Sequence, residues 1–206
     1  MSKAIVIRVG LVALAAALAV PFVAHAESSL QTGAGALSAS AKVDFQITIP
    51  KILFLQVGTG TSFANNAAVD LISFTVPAAN VGDGSAIAGT GGNSANGTVT
   101  ARVRANGGTV SFSATTLGAL SNGTGSSINW SAITTTPTTL VTATVLAAPT
   151  LANGASATLS LTPVGNVVNQ DATWTYGYSN TAIVSPGTYG GVNVNNGRVT
   201  YTASVL

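Results

Sequence analysis

The clearest hydrophobic pattern in the chain covers residues 37–49. These thirteen residues alternate without a break, with every odd position apolar and every even position polar. Strict alternation is typical of a β-strand with one buried and one solvent-facing side. At about 3.3 Å per residue the strand would extend roughly 40 Å, longer than most strands of globular domains. We therefore expect it to pair beyond a single sheet. Its apolar positions are Leu37, Ala39, Ala41, Val43, Phe45, Ile47 and Ile49.

Shorter apolar runs, bounded by Gly, Asn, Pro or Ser, follow along the rest of the chain. Pro50 interrupts the first pattern, and a second strand is predicted at 51–57. Asn106-Gly107-Gly108 and Asn195-Asn196-Gly197 contain residues that tolerate positive φ, so both predict hairpin turns. Short strands joined by turns predict an all-β sandwich or barrel. The further strands are predicted at 69–76, 98–105, 109–115, 128–133, 140–146, 155–161, 173–178, 189–194 and 198–205, with a long loop at 80–97.

The amino terminus has the pattern of an export signal. Lys3 and Arg8 supply positive charge, residues 9–20 are apolar, and Ala24-His25-Ala26 forms a small-x-small cleavage site. We therefore predict a signal peptide at 1–26, an extension at 27–50 and a single β-sandwich body at 51–206. The product is expected to be exported and to carry no membrane span once the signal is removed.

The residues that are missing exclude many kinds of chemistry. The chain has no Cys, and its single His, His25, lies within the predicted signal. Thiol nucleophiles, Ser-His relays and Cys or His metal ligands therefore cannot be built from the mature chain. Without the signal, the five remaining basic residues balance five acidic ones, which removes the charge basis for nucleic-acid binding. We expect no enzyme activity, no metal and no cofactor.

Two groups of side chains have more than one interpretation. Trp174, Tyr176 and Tyr178 alternate along one strand face, which predicts sandwich core. A sugar-stacking ligand platform and a subunit interface are the alternatives. Arg102 and Arg104 lie on one face of a predicted strand. They are expected to form a solvated pair, with a small anion site as the alternative. The scattered carboxylates have no acid–base or calcium spacing, and solvent-facing or turn positions are expected for Asp44, Asp70, Asp83 and Asp171.

The carboxyl-terminal sequence completes a family resemblance. It reads Pro186-Gly187-Thr188-Tyr189-Gly190-Gly191-Val192 and then Val199-Thr200-Tyr201-Thr202-Ala203-Ser204. Together with the export signal, the long alternating strand and the all-β body, it resembles bacterial pilin subunits of the chaperone-usher type that lack a disulfide. The resemblance implies an immunoglobulin-like antiparallel β-sandwich that misses one strand. In that family the amino-terminal extension of a neighbouring subunit fills the gap.

The leading functional expectation is therefore a structural subunit of a surface pilus or fimbria. The seven apolar residues of segment 37–49 would form the donor strand of a homopolymer, and the fibre would support cell adhesion or biofilm formation. The resemblance also implies a periplasmic chaperone and an outer-membrane usher as partners. The alternative is a self-contained secreted sandwich that binds glycan or matrix, with Trp174, Tyr176 and Tyr178 as its platform.

Overall fold

The structure is a computed structural model that describes residues 28–205, so the predicted export signal lies outside the described residues. The chain divides after Thr48, and every strand of the described residues lies in the body at 49–205. Across the described part, the helical segments are two short 3-10 turns, Ala78–Asn80 and Trp130–Ala132. The protein is therefore all-β, as the sequence predicts.

Twelve strands form antiparallel sheets in the body. In chain order they are β1 (Leu53–Val57), β2 (Ile72–Ser73), β3 (Ile87–Ala88), β4 (Thr90–Gly91), β5 (Thr98–Ala105), β6 (Val110–Thr115), β7 (Leu120–Ser121), β8 (Ser127–Ile128), β9 (Ile133–Thr138), β10 (Leu159–Leu161), β11 (Val168–Tyr178) and β12 (Thr200–Val205). The larger sheet has the order β1-β5-β11-β3, with β9 also paired to β11. The smaller sheet has the order β10-β6-β12. Two short ribbons, β2-β4 and β7-β8, lie outside these sheets.

The core lies between the two main sheets and follows from their alternation. On β5 the apolar residues Val99, Ala101, Val103 and Ala105 are all buried, and their cross-strand partners on β11 include the buried Trp174. From the smaller sheet Phe112 reaches Trp174, with their ring centroids 6.0 Å apart. Period-two alternation therefore gives each sheet one apolar face, and the two faces pack together as in a β-sandwich.

Both predicted hairpins are wrong. Asn106-Gly107-Gly108 joins β5 to β6, but these strands belong to different sheets, so the turn crosses between layers. The second turn does form, with Asn195 and Asn196 at φ 50° and 59° and a 2.8 Å bond from the Gly197 N–H to the Val194 carbonyl. The segment before it is not a strand, however. The residue types of a turn indicate that the chain reverses direction. They do not indicate to which sheet each flanking segment belongs.

Several other predicted strands and one predicted loop also differ from the structure. Segments 140–146 and 189–194 form bends and turns rather than strands, and 128–133 is mostly a 3-10 turn followed by β9. The predicted loop 80–97 contains the short strands β3 and β4. Segments 80–97 and 189–194 are rich in Gly and Asn, whereas 128–133 and 140–146 are mostly apolar, so long-range pairing rather than local composition decides which of them become strands.

Asp171 is buried, contrary to the expectation of a solvent-facing or turn position. It is fully buried in β11, where its Oδ1 accepts hydrogen bonds from the Val141 N–H at 3.0 Å and from the Thr142 N–H and hydroxyl at 2.9 Å each. Arg104 Nη2 lies 3.5 Å from Asp171 Oδ2. Arg104 also bonds to Asn169, so it belongs to a network within the body rather than to a solvated pair. Asp171 therefore fastens the 139–145 loop to the outer face of the larger sheet.

Acid is expected to weaken this anchorage. Burial raises the pKa of Asp171, but the hydrogen bonds from Thr142 and Val141 and the charge of Arg104 outweigh it, so the pKa lies below the usual 3.8. A lowered pKa contributes stability that is complete above the unfolded value and is lost as the pH falls through the folded value. The free energy of unfolding should therefore fall below about pH 4. In Asp171→Asn that acid-dependent loss should be smaller, and equal losses in the two proteins would contradict the assignment.

Candidate subunit interface

The seven apolar positions of segment 37–49 are all exposed in the single chain. Phe45 and Ile47 are 89% and 85% exposed. No strand is assigned from residue 28 to residue 52, so the half-buried strand predicted at 37–49 is not present in this structure. An exposed apolar side chain is ordinary, but a row on alternate positions is a surface suited to burial. The positions are Leu37, Ala39, Ala41, Val43, Phe45, Ile47 and Ile49.

A second feature of the candidate interface is the open edge of the smaller sheet. Strand β12 pairs with β6 along one side, from Thr200 opposite Thr115 to Val205 opposite Val110. Among the described residues no strand pairs with its other side. The backbone groups on the open side of this six-residue strand are therefore unpaired, and such an edge is the usual template for adding a further strand.

The inward face of β12 is less well covered than that of its neighbour. Tyr201, Ala203 and Val205 point towards the core but are only half-buried. The residues opposite them on β6 are almost completely buried, with exposures of 2%, 0% and 0% for Ala114, Phe112 and Val110. The apolar layer of the smaller sheet therefore extends to the β12 edge without a strand to cover it there.

The edge of the larger sheet that lies near β12 also has incompletely covered apolar side chains. Its edge strand β1 lies near β12 and turns Leu53, Leu55 and Val57 towards the core, opposite buried residues of β5. Leu55 and Val57 are half-buried, and Leu53 is 42% exposed although its partner Ala105 is 2% exposed. Strands β1 and β12 thus form one edge of the body at which core-facing apolar side chains are incompletely covered. We call this incompletely covered edge the open cleft.

The other edge of the smaller sheet is shorter and better covered. Strand β10 has three residues, and of its two inward-facing leucines Leu161 is 5% exposed and Leu159 is half-buried. Its central residue Ser160 points outward and is exposed. The open cleft is therefore a property of the β12 side, and β10 provides an internal comparison.

Trp174, Tyr176 and Tyr178 lie in the core. They are 0%, 8% and 7% exposed, and the Trp174 indole N–H donates to the Leu146 carbonyl at 2.8 Å. Rings buried to this extent offer no face on which a sugar could stack. The core interpretation of the three aromatic residues therefore fits the structure, and the ligand-platform alternative does not.

Tyr176 also connects the core to the edge strand. Its hydroxyl lies 2.9 Å from the hydroxyl of Tyr201 on β12, and the Tyr201 ring lies 5.4 Å from the Trp174 ring between centroids. Burial raises the pKa of Tyr201 to about 12, and burial together with the neighbouring Tyr201 raises the pKa of Tyr176 well above its usual 10.0. Both hydroxyls are therefore held in their protonated form.

Alkali is expected to unfold the body through these two tyrosines. A raised pKa contributes stability that is complete below the unfolded value near 10 and is lost as the pH rises towards the folded value. The free energy of unfolding should therefore fall as the pH rises from about 10 towards the folded pKa of Tyr201 at about 12. Denaturant unfolding over that range, with tyrosinate absorbance recorded in parallel, measures the effect. Tyr201→Phe should show a shallower decline, and an identical slope would contradict the assignment.

Comparison with known proteins does not identify a relative for this chain. The chain matches no protein-family model, no curated protein and no solved structure. Within residues 28–205, no helix has the length and apolar character needed to cross a membrane. The same residues contain no group of three or more His, Cys, Asp or Glu side chains that could hold a metal ion.

The sequence indicated one half of the candidate interface and missed the other. The alternation of 37–49 identified the apolar residues that the structure leaves exposed. Leu53, Tyr201, Ala203 and Val205 were not singled out, because alternation shows which side of a strand faces the core but not which edge lacks a neighbour. The signal that could have found them is the family resemblance, which implies a missing strand.

Proposed function

We propose that the chain is an exported structural subunit of a surface fibre and that it polymerises by donor-strand exchange. Segment 37–49 of one subunit would enter the open cleft of the next and pair with the free edge of β12. The body would then be an immunoglobulin-like sandwich completed by its neighbour. The fibre would be assembled through the periplasm by a chaperone and an usher, and it would serve adhesion or biofilm formation.

The observation that carries the proposal is the match between the two exposed features. The extension alternates between apolar and polar residues, and the open cleft has partly exposed apolar side chains beside an unpaired strand edge. A strand added to β12 with its apolar side inward would cover Tyr201, Ala203 and Val205 and approach Leu53. Its polar side chains would continue the outward face that Thr200, Thr202 and Ser204 form on β12.

The size of the expected contact agrees with a long-lived polymer. A fully buried Val, Leu, Ile or Phe side chain contributes roughly 1.5–3 kcal/mol, and segment 37–49 contains five such residues besides two alanines. New backbone hydrogen bonds to β12 add to this. The cost of ordering the segment and joining two molecules, estimated at 4–15 kcal/mol or more, reduces the total. Because dissociation requires all these contacts to open, the exchange of subunits should be slow.

The alternative of a self-contained glycan-binding sandwich receives no support from a particular feature of the body. Its proposed aromatic platform is buried, as described above. The exposed apolar extension and the open cleft also have no role in a molecule that acts as a monomer. The fibre proposal accounts for both.

A denaturing gel of shear-released surface material tests the proposal. Samples are run unboiled and boiled, and the protein is detected with a specific antibody. We expect a ladder at multiples of the mature mass that collapses to monomer on boiling, because the bodies are joined without covalent bonds. A single monomer band in both lanes would contradict the proposal.

A further inference from the structure

Asn106 holds the three residues through which the extension joins the body. These residues, Pro50, Lys51 and Ile52, are called here the root segment. The Asn106 side-chain amide donates to the Pro50 carbonyl at 2.7 Å, and its side-chain oxygen accepts from the Ile52 N–H, also at 2.7 Å. The Asn106 backbone N–H donates to the Ile52 carbonyl at 3.4 Å. One residue therefore contacts both ends of the root segment.

These bonds continue the pairing of β1 beyond the end of its ladder. Pairing between β1 and β5 ends at Leu53 opposite Ala105, immediately before Asn106. Pro50 has no N–H group and cannot donate to a sheet, so a regular ladder cannot extend through it. The Asn106 side chain supplies both a donor and an acceptor in place of a strand. The root segment is thus fixed to the body without being part of a sheet.

Gly107 provides a second, independent contact with the root segment. A Cβ added at Gly107 would lie 2.2 Å from Lys51 Cε and 3.0 Å from its Cδ. The aliphatic part of the Lys51 side chain therefore occupies the space beside the Gly107 backbone. The Asn106-Gly107 pair holds the root segment through its backbone at two residues and through the side chain of the third.

We propose that Asn106 is a positioning residue that limits the length of freely extendable chain between consecutive subunits of the fibre. This inference rests on the proposed function. In a strand-exchanged polymer, the covalent path from the donor strand to its own body passes through the root segment. If residues 50–52 were free, each junction would gain roughly 10 Å of extendable chain. A held root segment therefore limits bending between neighbouring bodies and stiffens the fibre.

The test compares Asn106→Ala and Asn106→Asp with the wild-type mature protein. The alanine variant removes both side-chain bonds. The aspartate variant keeps the shape and an acceptor for the Ile52 N–H, but it places a charged oxygen against the Pro50 carbonyl. Asn106 has no positive φ, so neither change strains the turn. Asn153→Ala is the matched control, because Asn153 anchors the Trp130 N–H at 3.0 Å in a separate loop of the body.

Two measurements decide the proposal. In hydrogen exchange, we expect protection of the Ile52 amide to fall about tenfold or more in Asn106→Ala and to stay unchanged in Asn153→Ala. In electron micrographs, fibres of both Asn106 variants should form but show a persistence length lower by about twofold or more. Unchanged protection at Ile52 would overturn the anchoring role, and lost protection with unchanged stiffness would overturn the role in the fibre.

Failure of the fibre proposal gives a different result. A wild-type protein that forms no polymer would contradict the proposed function and, with it, the role of Asn106 in stiffness. The exchange measurement would still decide whether Asn106 anchors the root segment. A loss of fibres in the Asn106 variants alone would overturn the inference, because a positioning residue should change stiffness and leave the donor strand able to insert.

Discussion

Replacing Phe45 or Ile47 with aspartate is expected to abolish the polymer while leaving export intact. Both side chains are highly exposed in the single chain, so the changes remove no contact within the core. In the fibre each would be buried in the open cleft, where an unpaired carboxylate costs several kcal/mol in addition to the lost apolar contact. The shear-release gel should therefore show monomer alone, and the total exported protein should stay close to the wild-type amount.

Gln46→Asp is the matched control for these two variants. It adds the same charge between Phe45 and Ile47, but on the polar side of the strand. A ladder like that of the wild type is expected, because this side faces solvent when the strand is inserted. Normal fibres from both Phe45→Asp and Ile47→Asp would rule out the donor-strand assignment. An equal loss of polymer in all three variants would show that the added charge prevents assembly, whichever side of the strand carries it.

Replacing Trp174 with alanine is expected to remove much of the stability of the body. Trp174 is fully buried, contacts Phe112 and Tyr201 through its ring and bonds to the Leu146 carbonyl through its indole N–H. Truncation of such a residue costs about 3–5 kcal/mol, against a total of about 5–15 kcal/mol for a typical domain. Urea unfolding followed by far-ultraviolet circular dichroism measures the change. A Phe45→Asp background keeps polymerisation from adding to the result.

The conservative variant Trp174→Phe separates packing from a ligand role. It retains an aromatic ring and should recover part of the lost stability, but it leaves the Leu146 carbonyl without its donor. A loss below about 1 kcal/mol in Trp174→Ala would contradict the core position. A ligand-dependent rise in stability that disappears in the Trp174 variants would instead favour the glycan-binding alternative.

The parts of the fold that the sequence predicted best are the strands with one strictly apolar face. Strand β5 has the predicted bounds, and β6 and β12 begin within two residues of the predicted positions. Their alternation is strong because one side packs between the sheets. Strand β11 is longer than predicted, since it begins at Val168 and continues through the buried Asp171. A charged residue in mid-strand weakens the hydrophobic pattern, although here loop N–H groups donate to its Oδ1 and Arg104 lies near its Oδ2.

The parts that the sequence could not predict depend on distant partners. Strand β9 contains Pro137 and four threonines, and it forms a strand because it pairs with the end of β11. Segment 140–146 is more apolar than β9 but forms a bent loop, in which Thr142 bonds to Asp171. Local preference does not separate these two cases, because the deciding interactions come from residues about 30 or more positions away.

The candidate interface also has one part that the sequence predicts and another that depends on distant partners. Alternation at 37–49 predicts a half-buried strand, but these residues form no strand in the single chain. Which edge of the body is open follows from the sheet order β10-β6-β12, and that order results from the whole fold. The donor side of the interface can therefore be proposed from sequence, whereas the acceptor side required the structure.

The central claim is that segment 37–49 of one subunit pairs with the β12 edge of another, and disulfide trapping tests it most directly. The chain contains no Cys, so introduced cysteines have no native competitor. Thr202→Cys on β12 is combined in turn with cysteine at Asp44, Gln46 or Thr48, all polar positions that would lie on the outward side. Neighbouring strands are about 4.8 Å apart, within the range that a disulfide can span.

We expect at least one of the three pairs to give a ladder that survives boiling without reductant and collapses to monomer when reductant is added. The same extension cysteines combined with Ser160→Cys on β10 should give no ladder. Monomer from every Thr202 pair under oxidising conditions, or ladders from the Ser160 pairs instead, would contradict insertion of the extension beside β12.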